Sequence, residues 1–436
     1  MIRGNQGFMK PIKVGLLGLG TVGTGVVRIV EGHQEDLVRQ VGTSIEISRI
    51  LVNDVTKNRS IPIPQDRLTE RAEDILQDPE IDVIVEVMGG LEPTKDYVLE
   101  ALASGKHIVT ANKDLLALYG TEILAQAEQY KRDIMYEASV AGGIPIIRTL
   151  TEGFSSDRIL KIMGIVNGTT NYILSKMSRE GAAYADVLKE AQTLGYAESD
   201  PTSDVEGLDA ARKMTILSRL GFHVNVELAD VSVKGISQVT REDIAYGKTL
   251  GYEVKLLGIA ERTEDGVSIS VEPTMVRLNH PLASVSGVFN AVYVYGESVG
   301  ETMFYGPGAG ELPTATSIVA DLVSVAKNLR LDVNGGQLPP RYQEKRLRTP
   351  EQIVSKYFLL LQVADRAGVL ARITQIFAEF EVSLESVFQH PNATTPHAEI
   401  IVITHNATKA GMLQVLAEFD KLDVVHEIRS VYRVEG

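Results

Sequence analysis

The chain has 436 residues, enough for about three domains with cores of their own, and its 57 acidic against 43 basic side chains give a net charge of −14. That balance argues against a phosphate-backbone partner, and the absence of cysteine excludes disulfides, a thiolate zinc site and covalent thiohemiacetal chemistry. No apolar run approaches the roughly 18 residues of a membrane span, and the start Met1–Gly7 lacks the apolar core of a secretion signal, so a cytoplasmic location is expected.

Lys13–Leu17 reads as a short buried strand that runs into Gly18-Leu19-Gly20-Thr21-Val22-Gly23 and then a helix through about Gln40. Strand, glycine turn and helix in that order form the dinucleotide-binding arrangement, in which glycines let the backbone approach a pyrophosphate at the positive helix end. A second strand, Ile45–Val52, ends at Asn53-Asp54, where an adenosine ribose would lie. An acid there suits the 2′-hydroxyl of NAD and a base the 2′-phosphate of NADP; Asp54 competes with Lys57 and Arg59. Two further buried strands, Asp82–Val87 and His107–Thr110, enter the turns Met88-Gly89-Gly90 and Ala111-Asn112-Lys113 at their carboxyl ends, where open parallel sheets bind ligands. Lys113 taken alone is more often a solvated loop lysine. Tyr136–Pro145 sets Glu137 ahead of a glycine-containing loop, oxygen donors that hard cations favour and that an ordinary turn also has.

From about residue 146 to 301 longer amphipathic segments alternate with strands. Leu160–Val166 precedes Asn167-Gly168-Thr169-Thr170-Asn171, a small polar cluster that suits a turn or a helix cap. The densest stretch is Ala191–Lys213. Gly195 ends one helix, Asp200-Pro201 forces an extended turn, and Ser203 with Glu206 forms a capping box that starts the next helix. On that helix Asp209 and Lys213 are one turn apart and share a face with Ile216 and Leu220, so the charged pair continues an apolar stripe. A structural ion pair satisfies this pattern. So does a lysine kept for proton transfer, with Glu198 and Asp209 placed to receive a cationic substrate group. Gly306–Ala315 is a second glycine-rich loop, followed by a helix from Thr316 to Leu329. Residues 331–352, with Gly335-Gly336, Pro339-Pro340 and a basic run, read as a linker with a solvated charged face. Beyond it come a strand (Tyr357–Val363), a helix (Val369–Phe380), strands at Val382–Phe388 and Glu399–Thr404, a helix (Lys409–Phe419) and a strand near Val424–Val431. That βαββαβ order describes a ferredoxin-like unit.

The spacing A-x3-G-(aromatic or aliphatic)-small-x2-D-P-x2-D-x2-G-x-D-x3-K is filled at every fixed position from Ala191 to Lys213 and resembles the signature of the homoserine dehydrogenases. Asp365-Arg366-Ala367-Gly368-Val369-Leu370 resembles the ligand loop of an ACT domain, a module that pairs side by side and binds an amino acid. The fold class this implies is α/β: a Rossmann-type domain at 10–145 completed by about 302–330, an α+β substrate-binding and dimerisation domain at 146–301, and an ACT domain at 353–436.

The activity implied by the resemblance is reversible NAD(P)-dependent interconversion of L-homoserine and L-aspartate 4-semialdehyde, on the route to threonine, methionine and isoleucine. Lys213 is the expected proton donor, with Lys113 as partner or rival. Glu198 and Asp209 hold the substrate ammonium group, and Thr169, Tyr196 and Asp204 border the substrate. Gly18 to Gly23, Lys57, Thr110, Lys113, Gly195 and Gly310 lie beside the cofactor, for which NADP is expected with NAD tolerated. A structural sodium or potassium site would be formed by Glu137 and the carbonyls of Val140, Gly142 and Ile144. The expected partners are a small substrate, an amino-acid effector (threonine) at the ACT domain, and further copies of the chain in a homodimer or homotetramer. Two competing functions are an inactive amino-acid sensor and a dehydrogenase of another hydroxy amino acid.

Overall fold

A computed structural model describes residues 10–333, 341–391 and 397–436; Met1–Gly7, Gly335-Gly336 and Pro339-Pro340 lie outside them. The chain divides into two compact units, one of Met1–Arg158, Thr215–Leu228 and Phe304–Glu344, the other of Ile159–Met214, Ala229–Met303 and Lys345–Gly436.

The first unit is built on a six-stranded parallel sheet of β1 (Ile12–Leu17), β2 (Ile45–Leu51), β3 (Leu68–Thr69), β4 (Val83–Glu86), β5 (His107–Thr110) and β6 (Ile134–Met135), in the order β3-β2-β1-β4-β5-β6. This is the doubly wound order that reverses between β1 and β4, where such sheets bind nucleotides. β1, β4 and β5 are buried on both faces, which is why they read as unbroken apolar runs. The single helix expected after the glycine turn is instead two, Thr21–Gly32 and Gln34–Val41. Gly32 has low helix propensity, and His33 leaves helical geometry at φ −115° and ψ 25°. The second segment can then seat Leu37 and Val41 in the core while Gln34 Nε2 donates to Ile45 O at 2.7 Å. The helix Glu311–Leu331 starts five residues before the expected Thr316. It belongs to the same core, contributing Ala315, Ile318, Leu322 and Val325. It approaches the helix Thr21–Gly32 so closely that a methyl at Gly25 would lie 2.7 Å from Glu311 O and 2.9 Å from Ala315 Cβ.

The second unit carries a mixed sheet. Its strands are β7 (Ile159–Ile165), β8 (Ser232–Val233), β9 (Tyr252–Thr263), β10 (Gly266–Arg277), β11 (Phe289–Gly296), β12 (Gly300–Pro307), β13 (Val354–Ala364), β14 (Leu384–Pro391), β15 (His397–Thr404), β16 (Ala407–Thr408) and β17 (Val425–Glu435). The main path runs β12-β11-β7-β9-β10-β17-β13-β15-β14. β13, β14, β15 and β17 with helices Val369–Glu379 and Lys409–Phe419 form the expected βαββαβ unit, whose core holds Leu359, Ile373, Phe377, Ile400 and Phe419. β16, too short to show a period, was not expected.

Nor was the continuity of the sheet. β17 pairs in parallel with β10, matching Thr274, Met275 and Val276 to Arg433, Val434 and Glu435. Polar contacts reinforce that seam. The buried Asp243 accepts from Ser430 Oγ and from Tyr432 OH at 2.8 Å, and Arg433 pairs with Glu261 at 2.8 Å. Burial, then the Asp243 carboxylate, raises the Tyr432 phenol far above its usual range.

Candidate active site

Lys213 lies on the helix Leu208–Phe222, and its Nζ donates to Asp209 Oδ2 and to Val166 O, each at 2.7 Å. The lysine is largely and the aspartate almost wholly covered, with side chains 13% and 9% exposed, and Ile216 and Leu220 below them are buried as the stripe predicted. Asn167 was not singled out from the sequence. Its Nδ2 donates to Asp204 Oδ1 at 2.7 Å and to Asp209 Oδ2 at 2.9 Å. Its Oδ1 caps the helix Gly168–Glu180 through Thr170 N at 2.9 Å. One cap residue thus fixes two acids and, through Asp209, the lysine. Burial raises the Asp204 carboxyl above its ordinary range; the Asn167 hydrogen bond opposes this and the Asp209 charge adds to it.

The helix start differs from the expected capping box. Ser203 sits inside a one-turn helix, Thr202–Val205, and the long helix begins only at Leu208, after Gly207 in the left-handed region at φ 79°. Asp200 Oδ1 instead receives Thr202 N at 3.1 Å and Thr202 Oγ1 at 2.6 Å. Gly195 ends its helix as expected, at φ 76° one residue past the cap at Leu194. Thr169 Oγ1 donates to Tyr196 O at 2.6 Å, tying the polar cluster to this loop, and the exposed Tyr196 ring packs on Tyr172 with centroids 5.0 Å apart. Glu198 is exposed; its backbone carbonyl accepts from Gln192 Nε2 at 3.1 Å. Its side chain makes no hydrogen bond or ion pair among the described residues, so the acid brought to Asp209 and Lys213 is Asp204 rather than Glu198.

In the nucleotide-binding unit Gly18 takes φ 103°, and a methyl at Gly23 would stand 2.3 Å from Gly18 O. A methyl at Gly20 would meet no atom within 4 Å. The turn is therefore tight below and open above, and it leads straight into the helix beginning with Thr21 and Val22, as a bound pyrophosphate requires. The turns after β4 and β5 are laced together by Glu86 and Asn112, to which the sequence analysis gave no role, and by Thr110, which it placed beside the cofactor. The fully buried Glu86 accepts from Met88 N at 2.9 Å, Gly89 N at 3.2 Å and Thr110 Oγ1 at 2.6 Å. Burial nevertheless raises its carboxyl above the usual range. Asn112 caps the helix Lys113–Gln129 and reaches Gly90 O at 2.7 Å, leaving Lys113 in the first turn, 4.0 Å from Asp114 Oδ2. Lys57 is exposed, Asp54 Oδ1 is engaged by Thr56 N at 2.7 Å and Thr56 Oγ1 at 2.6 Å, and Gly310 takes φ 125° at the cap of Glu311–Leu331.

Glu137 is buried, and its two oxygens accept Ile147 N at 2.7 Å and Arg148 N at 2.9 Å. Gly142 O accepts Ser317 Oγ at 2.7 Å and Ile144 O accepts Ile146 N at 2.8 Å, while Val140 is wholly buried. Burial pushes the neighbouring Asp321 carboxyl up to about 7, although Glu137 N and Arg148 both donate to it. Among the described residues no three histidine or acidic side chains gather to hold a metal ion.

Comparison with known proteins identifies the family. A homoserine dehydrogenase family model matches residues 145–323, the homoserine dehydrogenase NAD binding domain matches 18–137, and the ACT domain matches 357–424. A homoserine dehydrogenase of Bacillus subtilis is 56% identical over 98% of this chain and 99% of its own. The crystal structure of a homoserine dehydrogenase from Thiobacillus denitrificans superposes with a TM-score of 0.92 at 43% identity, covering 98% of both chains. A more distant structure, a hyperthermophilic archaeal homoserine dehydrogenase in complex with NADPH, gives a TM-score of 0.61 at 25% identity over 72% of this chain and 98% of its own. With its glycine turn, its lysine and acid cluster and its C-terminal ACT domain, the chain belongs to the homoserine dehydrogenase family.

Proposed function

We propose that the chain interconverts L-homoserine and L-aspartate 4-semialdehyde with Lys213 as the proton donor, prefers NADP, and is inhibited by threonine through its ACT domain. The observation that carries the catalytic assignment is Lys213 held between Asp209 and Val166 O. An ammonium has three N–H donors; two are engaged, and the third remains for a substrate oxygen. When bound, the nicotinamide supplies or takes up the hydride. In the reducing direction Lys213 Nζ gives its proton to the oxygen as negative charge builds there, and the resulting amine is reprotonated from water. Asn167 and Asp209 orient that amine. Asp204 and Glu198 offer negative charge to the substrate ammonium, and Thr169 holds the loop at Tyr196. Lys113 is the second candidate donor. Absorbance of reduced nicotinamide with L-homoserine tests the activity, with L-serine and L-threonine as competing substrates; zero turnover by folded protein would favour an amino-acid sensor.

NADP preference is supported by Lys57 and Arg59 beside a ribose-side Asp54 whose carboxylate is already engaged by Thr56, and by the NADPH complex of the archaeal relative. Lys57→Glu is expected to raise the KM for NADP about tenfold, a loss of ~1.4 kcal/mol, with the KM for NAD unchanged. Equal effects on both would remove Lys57 from 2′-phosphate recognition.

Threonine inhibition is assigned to the segment Asp365–Leu370, whose loop residues Asp365–Gly368 are exposed and run into the helix beginning at Val369, and where Gly368 takes φ 89° and has open space beside its α-carbon. Gly368→Val is expected to weaken inhibition by L-threonine at least tenfold at unchanged basal turnover. Undiminished inhibition would place the effector elsewhere.

Support for a monovalent cation at Glu137 comes from charge: Glu137 and Asp321 are two buried carboxylates packed with one guanidinium, Arg148. All donors in that loop are oxygens, the ligands a hard cation takes. The wild-type protein is expected to melt several degrees higher in sodium chloride than in choline chloride of equal strength, and Glu137→Gln to lose the difference. Identical melts of the wild type in both salts would sink the assignment.

A further inference from the structure

Glu86, the last residue of β4, is wholly buried and makes no ion pair among the described residues. A carboxylate kept from water without a cation is costly, and burial accordingly raises its carboxyl above the ordinary range. Burial alone calls for an apolar residue, as at Val83, Ile84 and Val85 on the same strand. What the acid gains is donors. Met88 N and Gly89 N both reach its Oε1, at 2.9 and 3.2 Å, and Thr110 Oγ1 reaches its Oε2 at 2.6 Å.

These contacts tie together three turns at the carboxyl end of the parallel sheet. Thr110 Oγ1 also accepts from Asn112 N at 3.0 Å, and Asn112 Nδ2 crosses back to Gly90 O at 2.7 Å, so one acid governs the turns after both β4 and β5. On its other side the β4 turn supports the glycine turn after β1: a methyl at Gly18 would lie 3.0 Å from Val87 O and 3.2 Å from Met88 Cα. Thr94 Oγ1 takes up Gly89 O at 2.9 Å. Gly89 and Gly90, at φ 73° and 72°, are exposed, and a methyl on either would meet nothing within 4 Å. The β4 turn is thus fastened on its inner side and open on its outer one, at the place where the strand order reverses and doubly wound sheets seat a nucleotide.

We propose that Glu86 is a positioning residue of the dinucleotide site: by accepting from three donors it fixes the turns after β4 and β5 against the glycine turn, and the dinucleotide binds tightly only to that shape. An ionised carboxylate accepts on both oxygens without donating, whereas a protonated acid or an amide donates from one side. Toward Thr110 Oγ1 that reversal would turn the buried hydroxyl's own proton away from Glu86. The proposal rests on nicotinamide binding by this unit; it does not depend on the choice of NADP or on the roles of Lys213 and Lys113.

Glu86→Gln, of the same size and without the charge, tests this by fluorescence titration of the full-length protein with NADPH and with NADH. The dissociation constant of each is expected to rise at least tenfold, and so is the KM for the dinucleotide, with the KM for L-homoserine within twofold of the wild type. The melting temperature is expected to stay at or above that of the wild type, because the amide removes a buried charge that has no cation. An acid that only held the fold together would give the opposite pair, a lower melting temperature with affinity intact, and that result overturns the proposal. Thr110→Val removes the hydroxyl at nearly constant shape and is expected to weaken dinucleotide binding at least tenfold, while Thr110→Ser stays within threefold of the wild type. The double variant Glu86→Gln, Thr110→Val is expected to bind no more weakly than the weaker single variant; additive losses would mean that the two residues act apart and would equally overturn the proposal. If the wild type took up neither dinucleotide, nicotinamide binding itself would fail and the proposal with it, whereas equal binding by the wild type and Glu86→Gln overturns the proposal alone.

Discussion

Lys213→Ala is expected to lower turnover about 10³-fold, within the range of a lost general acid, while the affinity for the dinucleotide changes less than twofold. The lysine is fixed by Asp209 Oδ2 and Val166 O, so its free N–H has a defined direction, and a flexible surface amine cannot substitute for it. Removing it also leaves Asp209 almost buried beside Asp204, both still held by Asn167. Breaking a buried ion pair by removing one partner costs about 3–5 kcal/mol, so stability is measured beside activity. The double variant Asp209→Asn, Lys213→Ala separates the two effects. It is expected to recover the melting temperature of the wild type and to recover none of the activity. Lys213→Arg keeps the charge but spreads its donors in a plane, and it is expected to retain at most a few per cent of turnover. Wild-type rates in Lys213→Ala would remove the residue from the chemistry, and Lys113→Ala would then be the decisive variant.

What was legible in the sequence depended on local period. The glycine turn before Thr21, the buried parallel strands and the βαββαβ unit are set by spacing within a few residues, and the structure has them. The pairing of Asp209 with Lys213 follows from a single helical turn. Ser203 and Glu206 failed as a capping box because Gly207, left-handed and packed against Val233 and Val271, starts the long helix later. The break at His33 was similarly hidden, since apolar residues continue across it. Asn167 was invisible as a bridge because its partners lie 37 and 42 residues away, and a polar cluster before a helix already had a sufficient explanation as a cap. The same holds for the β10–β17 seam, three residues long and formed between segments about 160 positions apart.

Deleting residues 353–436 is expected to yield a protein that aggregates or melts more than 10 °C lower, rather than an uninhibited enzyme. The deletion strips β10 of its parallel partner along Thr274–Val276, opening a sheet edge of the kind that pairs with other chains. It removes Ser430 and Tyr432 from the fully buried Asp243, Val431 O from Lys234 Nζ and Arg433 from Glu261. Hydrogen bonds to charged groups contribute about 1.5–3 kcal/mol each, so losing three or four approaches the whole stability of an ordinary domain, ~5–15 kcal/mol. The archaeal relative, matched over 98% of its own length by 72% of this chain, is a shorter protein; the dependence therefore lies in residues of this chain such as Asp243 and Glu261, not in the catalytic fold. A truncated chain that stays monodisperse in light scattering and melts within a few degrees of the full length would show that the seam is dispensable. Otherwise the proposed inhibition can be dissected only by point substitutions that spare β17, because the strand that pairs with β13 in the ACT unit also pairs with β10.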